Sequence, residues 1–334
     1  MPVIAAVLHR RNPWHEEGSP SPPAISTGAA YGLLVLYALS YFVPFYLSKT
    51  TRPSPTLSRD APSVIRARIR FVTLSCFVCT VVTYQVLTRA GGTTSLEALH
   101  LLGLWPVGLR ESLRVLFLTA LLFAGPLYRY FIVERGWADW ARLQPLVEVW
   151  EELMTWRNIV AGPVTEEVLF RAASIPLVLL ARVSVPATVF VTPVIFGLAH
   201  VHHYYEFRLS RPDASAAASL LRSAFQLSYT TLFGAYATFL FLRTGSLVAV
   251  CAVHAFCNCM GLPQVWGRVD PLPDWAPGVP FSRRPRPSIL WTVVYYVLLV
   301  SGAFLWYQNL WVLSESDNAL LPRSAFDESV PPSA

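Results

Sequence analysis

The sequence predicts an all-α, polytopic membrane protein with about eight transmembrane helices. Three observations predict it. Hydrophobic residues make up 54% of the 334-residue chain and charged residues only 14%, where a soluble domain carries about 25% charge. Mean hydropathy is +0.45. The apolar residues gather into runs long enough to cross a hydrocarbon core of about 30 Å. Several runs also hold ionisable residues, which are costly at membrane depth and usually mark function.

Residues 1–25 read as a polar, Pro-rich tail. Its apolar stretch is short, and Arg10-Arg11 follow it, so it is not a signal peptide. The first span, 27–47, then serves as an uncleaved anchor. The stretch 48–70 holds Lys49, Arg52, Arg59, Arg66, Arg68 and Arg70, and the second span runs over 71–87. A loop with a short interfacial helix covers 89–112, and a third span, 113–128, has Pro126 near its end. Tryptophans and glutamates alternate over 137–156, predicting an amphipathic surface helix. The fourth span, 157–183, is interrupted by Gly162-Pro163 and Pro176, which predicts a broken helix whose freed backbone is satisfied by neighbours. Spans five to eight follow at 186–203, 214–242, 246–262 and 288–311. The remaining tail, 312–334, is acidic and expected to be disordered. The transmembrane domain is therefore 26–311.

The net charge of +6 sits in short loops between spans. That fits membrane orientation and no nucleic-acid-binding pattern accompanies it. The basic loops after spans one, five and seven place that side in the cytosol, with both termini on the other. Five cysteines lie within apolar runs, Cys76 and Cys79 in one and Cys251, Cys257 and Cys259 in another, and read as small buried side chains without a disulfide framework.

Three short motifs carry the chemistry. In Thr165-Glu166-Glu167-Val168-Leu169-Phe170-Arg171, Glu167 and Arg171 stand at i,i+4 and share a helix face. The guanidinium neutralises one carboxylate, while Glu166 points elsewhere and can act as a general base. Phe196-Gly-Leu-Ala-His200 sets an imidazole one turn after an aromatic ring, with small residues that let helices approach. His202 and His203 just beyond it read as interfacial. His254 and Asn258 are again i,i+4 and both offer N–H donors, the makings of an oxyanion hole. From the cytosolic side, Glu166 lies about nine residues deep, His254 about eight and His200 about three, offsets of about 4 to 14 Å that kinks and tilt can level. An acid, two imidazoles and an amide at one depth make a membrane-embedded hydrolase the leading expectation. Two others stay open: a zinc-dependent membrane protease using Glu166, His200 and His254, and a non-enzymatic scaffold or transporter. The signature His-Glu-x-x-His and the Gly-x-Ser-x-Gly elbow are both absent from the sequence.

The ordered set E-E-x-x-x-R, F-x-x-x-H and H-x-x-x-N, one motif per helix over 157–262, resembles the type II CAAX prenyl endopeptidases, the Ras-converting family of glutamate-dependent intramembrane proteases. The resemblance implies helices around a conical catalytic cavity and hydrolysis without metal or cofactor. By motif position, Glu166 and His200 would activate the water, and His254 and Asn258 would stabilise the oxyanion. Glu167 and Arg171 would support them. It implies removal of the last three residues of prenylated CaaX proteins, Ras-like GTPases among them. The implied setting is the endoplasmic reticulum membrane, with the site toward the cytosol.

Overall fold

Serine caps and backbone breakers set the helix boundaries. The computed structural model describes residues 22–54, 57–271 and 288–327. The tail over 1–21 with Arg10 and Arg11, the arginines 283, 284 and 286, and the residues after 327 lie outside them. The described residues contain no strand. Ser26 accepts the amide of Ala29 and starts α1, Thr27–Phe42. Ser215 accepts that of Ala218 and starts α6, Ala216–Thr244. Each satisfies one of the amides a helix start leaves unpaired. Gly245 closes α6 in the left-handed conformation, and Ser246 accepts the amide of Ala249 to begin α7, Leu247–Met260. This two-residue reversal turns α7 back along α6.

All eight expected spans return as helical segments. α1 breaks at Val43 and resumes over Pro44–Leu47. α2 is Pro62–Arg89. The fourth contains α4, Gly162–Glu167, the fifth α5, Thr192–Ala199, and the eighth is α8, Leu290–Leu313. Four stretches are long and apolar enough to cross a membrane outright: Thr27–Leu47, Pro62–Arg89, Val185–Ser210 and Leu290–Leu313. These face outward, with 17% to 39% of their apolar windows buried. The fourth span and α7 pack inside them, which is where irregular backbone is tolerated at membrane depth.

The third span departs from expectation. Instead of one straight helix, α3, Leu109–Leu122, is followed by Ala124–Val133 at a bend of 83°. Pro126 brings no amide to the ladder. At Gly125 the missing side chain admits α8, since a Cβ there would stand 3.0 Å from the Tyr295 carbonyl oxygen.

The amphipathic segment is also broken, into Gly136–Ala141, Gln144–Glu151 and Leu153–Trp156. Leu143, at φ 56, takes the left-handed conformation just before Gln144-Pro145. Trp137, Trp140, Leu146 and Trp150 remain exposed, as befits an element lying in the plane of a membrane interface.

Of the tail expected to be disordered, the described residues up to 327 are folded onto the helices. Leu320 donates its amide to the Leu242 carbonyl at 2.9 Å. Leu320 and Leu321 are buried in the same core as α3, α6 and α7. His100 Nε2 donates to the Asn318 carbonyl at 2.8 Å. The triplet Ala319-Leu320-Leu321 is apolar enough to dock an otherwise acidic stretch on the end of α6.

Candidate active site

Two wide π-helical turns, Arg157–Ala161 and Val168–Ala173, flank α4. Pro163 lacks an amide, and the wide turn before it absorbs the lost bond; such turns frequently sit at functional sites. Neighbours hold the broken stretch. Thr165 donates to the Ala161 carbonyl at 2.7 Å, Tyr41 pairs with Thr165 at 3.3 Å, and the Cys76 thiol meets the Thr165 carbonyl at 3.2 Å.

Glu167 and Arg171 are buried together, at 0% and 1% exposure. Arg171 Nη1 donates to Glu167 Oε1 at 3.0 Å, and Nη2 donates to the Gly234 carbonyl at 3.2 Å. Its guanidinium lies 4.7 Å from the Phe196 ring centroid. The same Glu167 oxygen receives a second donor, His254 Nδ1, at 2.6 Å. The expected i,i+4 pair is therefore a three-residue network joining α4, the wide turn after it and α7. The helical spacing showed the Arg171 partner; His254 lies 87 residues further along the chain and left no local signal.

Glu166 turns away from this pair and stays 20% exposed. Its Oε2 stands 3.8 Å from His254 Nε2 and 4.0 Å from His200 Nε2. Those separations exceed a hydrogen bond and suit one bridging water. Both rings are held from behind. His200 Nδ1 donates to the Phe196 carbonyl at 2.9 Å, with the Phe196 ring edge-on at 4.8 Å. His254 Nδ1 donates to Glu167, and Phe233 covers the ring at 4.5 Å. With each Nδ1 facing an acceptor, the hydrogen-bond network assigns a proton to Nδ1 and makes Nε2 the ring atom that faces Glu166. A carboxylate and two imidazole nitrogens thus converge on one small volume.

Asn258 lines the cavities on both sides of Glu166. One of its amide hydrogens is taken by the Asn158 carbonyl at 2.9 Å, which leaves the second free.

Glu166, His200 and Asn258 stand where two cavities meet. One, about 340 Å³, carries Arg59, Arg68 and Arg157 in a wall that also holds apolar groups such as Phe45, Ile65, Val72 and Phe170. The other, about 630 Å³, also reaches His254 and is walled by apolar groups such as Leu122, Phe123, Phe233, Tyr236 and Trp306. Cys257, half-buried, lies on this apolar wall, and Cys259, expected to be buried, is exposed near the end of α7. Cys76 and Cys79 are free and buried as expected.

His202 and His203 are more than interfacial residues. His202 stacks on Phe42 at 5.3 Å, and His203 Nδ1 donates to Glu206 Oε2 at 3.0 Å. Among the described residues, the donor atoms lying within 4.8 Å of one another belong to His202, His203 and Glu206, and not to the Glu166–His200–His254 set. Glu206 already pairs with Arg68 at 2.6 Å and Arg59 at 3.2 Å. Two guanidiniums on its one carboxylate make the cluster an ion-pair network and a poor cation site. The i,i+3 spacing of His203 and Glu206 was the available signal for it.

Comparison with known proteins agrees with this geometry in extent. The sequence profile described as "Type II CAAX prenyl endopeptidase Rce1-like" matches residues 148–260. The chain is 34% identical over 288 residues to "Probable CAAX prenyl protease 2" of Schizosaccharomyces pombe, covering 86% of this chain and 94% of that one. It is 37% identical over 243 residues to "CAAX prenyl protease 2" of Homo sapiens, covering 70% of each, and 32% identical over 265 residues to that of Arabidopsis thaliana, covering 73% and 83%. No solved structure matches the chain significantly.

Proposed function

The chain belongs to the type II CAAX prenyl endopeptidases, and from that membership we propose how Glu166, His200, His254 and Asn258 cleave a prenylated CaaX terminus. The protein is a multi-pass membrane peptidase, and neither the zinc-dependent nor the non-enzymatic reading is favoured. Residues 26–311 act as one protease domain around the 157–262 core.

A water lodged beside Glu166 Oε2 and the two Nε2 atoms gives a proton to Glu166 as its oxygen attacks the carbonyl carbon of the prenylated cysteine. The carbonyl electron pair moves onto oxygen. The free N–H of Asn258, and His254 when protonated at Nε2, donate to that oxyanion. Collapse breaks the C–N bond, and the leaving amine takes the proton from Glu166. The products are a protein ending in prenylcysteine and a free tripeptide. Glu167 is a positioning residue: it fixes the His254 tautomer and is itself held by Arg171.

The substrate reading rests on the pairing of cavities. A prenyl chain partitions into lipid and carries its cysteine to the interface. The apolar cavity that ends at Glu166, His200 and His254 suits that chain, and the arginine-bearing cavity, with Ile65, Val72 and Phe170 in its wall, suits the three residues beyond the cysteine. Ras-like GTPases are clients of the right chemistry. The site works at the endoplasmic reticulum membrane and opens to the cytosol, where such termini are found; the arginines between α1 and α2 support that side.

One observation carries the mechanism: Glu166 Oε2 lies 3.8 Å and 4.0 Å from two imidazole nitrogens at the junction of two cavities, one of them bearing three arginines. The test incubates the purified full chain in vesicles with a farnesylated CaaX peptide and follows tripeptide release by mass spectrometry. Release from the farnesylated peptide, with none from its unprenylated twin, supports the reading. Equal release from both would remove the prenyl chain from it.

A further inference from the structure

The mechanism makes no use of Arg59, Arg68 and Arg157 in the smaller cavity. Arg157 Nη1 pairs with Asp60 at 2.7 Å, and Asp60 also stands 3.9 Å from Arg59 Nε. Glu206 takes Arg59 at 3.2 Å and Arg68 at 2.6 Å. Three guanidiniums thus share two carboxylates, and all three reach the wall of the cavity that holds Glu166. Within its own ion pairs the cluster holds three guanidiniums to two carboxylates, with Glu166 the third carboxylate of the same cavity, and a substrate carboxylate there would meet forked donors of matching geometry.

The position of Arg157 fits one carboxylate in particular. It precedes Glu166 by nine residues on the same broken helix, a rise of about 13 Å at regular α geometry, which the wide turn Arg157–Ala161 shortens. Three residues of extended peptide span about 10 to 11 Å. A chain with its scissile bond at Glu166 therefore carries its third residue to the neighbourhood of the Arg157 guanidinium.

We propose that Arg157, assisted by Arg59, is the subsite that binds the free α-carboxylate of the substrate's last residue and thereby sets cleavage three residues from the chain end. The inference rests on the CaaX-protease reading above and deepens it. Arg157 keeps its Asp60 contact in the free enzyme, and the incoming carboxylate takes the guanidinium donors that Asp60 leaves open.

The test compares a farnesylated CaaX peptide bearing a terminal acid with the same peptide bearing a terminal amide, on the full chain in vesicles. The wild-type protein is expected to favour the acid by tenfold to hundredfold in kcat/KM, the range of a charge-assisted pair. In Arg157→Gln the acid rate falls more than the amide rate, so that ratio drops toward one. Arg157→Lys, which keeps the charge and loses the fork, retains an intermediate preference. Arg59→Gln, at an exposed side chain, gives a second reading if Arg157→Gln folds poorly. A wild-type ratio of one, or a ratio unmoved in both glutamine variants, overturns the proposal. Repeating the assay with and without anionic phospholipid separates the other source of negative charge: a rate that follows lipid charge equally for acid and amide assigns the arginines to headgroups and also overturns it. A wild-type protein that cleaves neither peptide defeats the protease reading itself, a result distinct from cleavage of both at equal rates.

Discussion

The Nδ1–H of His254 points at Glu167 Oε1 across 2.6 Å, and Arg171 donates to that same oxygen across 3.0 Å. One buried carboxylate therefore orients an imidazole from α7 and balances a guanidinium from its own helix. Because Nδ1 is committed, Nε2 is the ring atom presented to Glu166. The polar groups that make the core costly in lipid are the ones that aim the site.

Glu167→Gln should unfold readily. It leaves the buried Arg171 charge without a counter-charge, at a cost of about 3 to 5 kcal/mol. Loss of the midpoint in detergent thermal unfolding checks this. The double variant Glu167→Leu/Arg171→Met should regain much of that stability, since apolar replacement of a buried pair is often neutral. It should stay inactive, because His254 has lost its anchor. Recovery of activity along with stability would mean that Glu167 only balances charge.

Gly234→Ala should lower both stability and activity. A Cβ there would stand 2.8 Å from Pro193 Cβ, 3.1 Å from Phe196 Cδ1 and 3.3 Å from Arg171 Nη2. Overpacking of this kind costs about 1 to 3 kcal/mol. It pushes on the residue whose carbonyl holds His200 and on the guanidinium that holds Glu167. Gly197→Val should behave likewise, because any side chain at Gly197 collides with Thr231 on α6. Unfolding midpoints and tripeptide release, measured together, check both; unchanged values for either variant would show that α5 and α6 give way there.

Much of this was legible in the sequence, and what was missed has physical causes. The apolar runs gave all eight helical segments, because lipid selects for length and hydropathy within one stretch of chain. Gly162-Pro163 and Pro176 announced the broken fourth span through lost backbone donors. The spacing of Glu167 and Arg171 announced their pairing. The contact of Glu167 with His254 did not show, nor did that of Arg157 with Asp60, because both depend on how separate segments fold together. The docking of Leu320 and Leu321 was hidden by an acidic surround that outweighs a short apolar triplet in any composition count. The bend after α3 came from the fit of Gly125 against α8, and Pro126 alone gave only its position.

The apolar cavity should set the tolerance for prenyl length. Leu122 and Leu262 line it, and Leu122→Trp or Leu262→Trp removes volume there. Each methylene denied burial costs about 0.8 kcal/mol. A geranylgeranylated peptide should therefore lose more than a farnesylated one, by about tenfold or greater in KM, with kcat close to wild type. Steady-state kinetics on the two peptides check this. Equal losses for both chain lengths would place the prenyl group outside this cavity.

The most direct measurement compares tripeptide release by wild-type protein and Glu166→Gln on a farnesylated CaaX peptide, with thermal unfolding recorded on the same samples. Glutamine keeps the shape of Glu166 and cannot take a proton from water. Release should fall by about a thousandfold, within the range for loss of a general base, with the unfolding midpoint unchanged. A folded Glu166→Gln protein that releases tripeptide within tenfold of wild type would contradict the role given to Glu166.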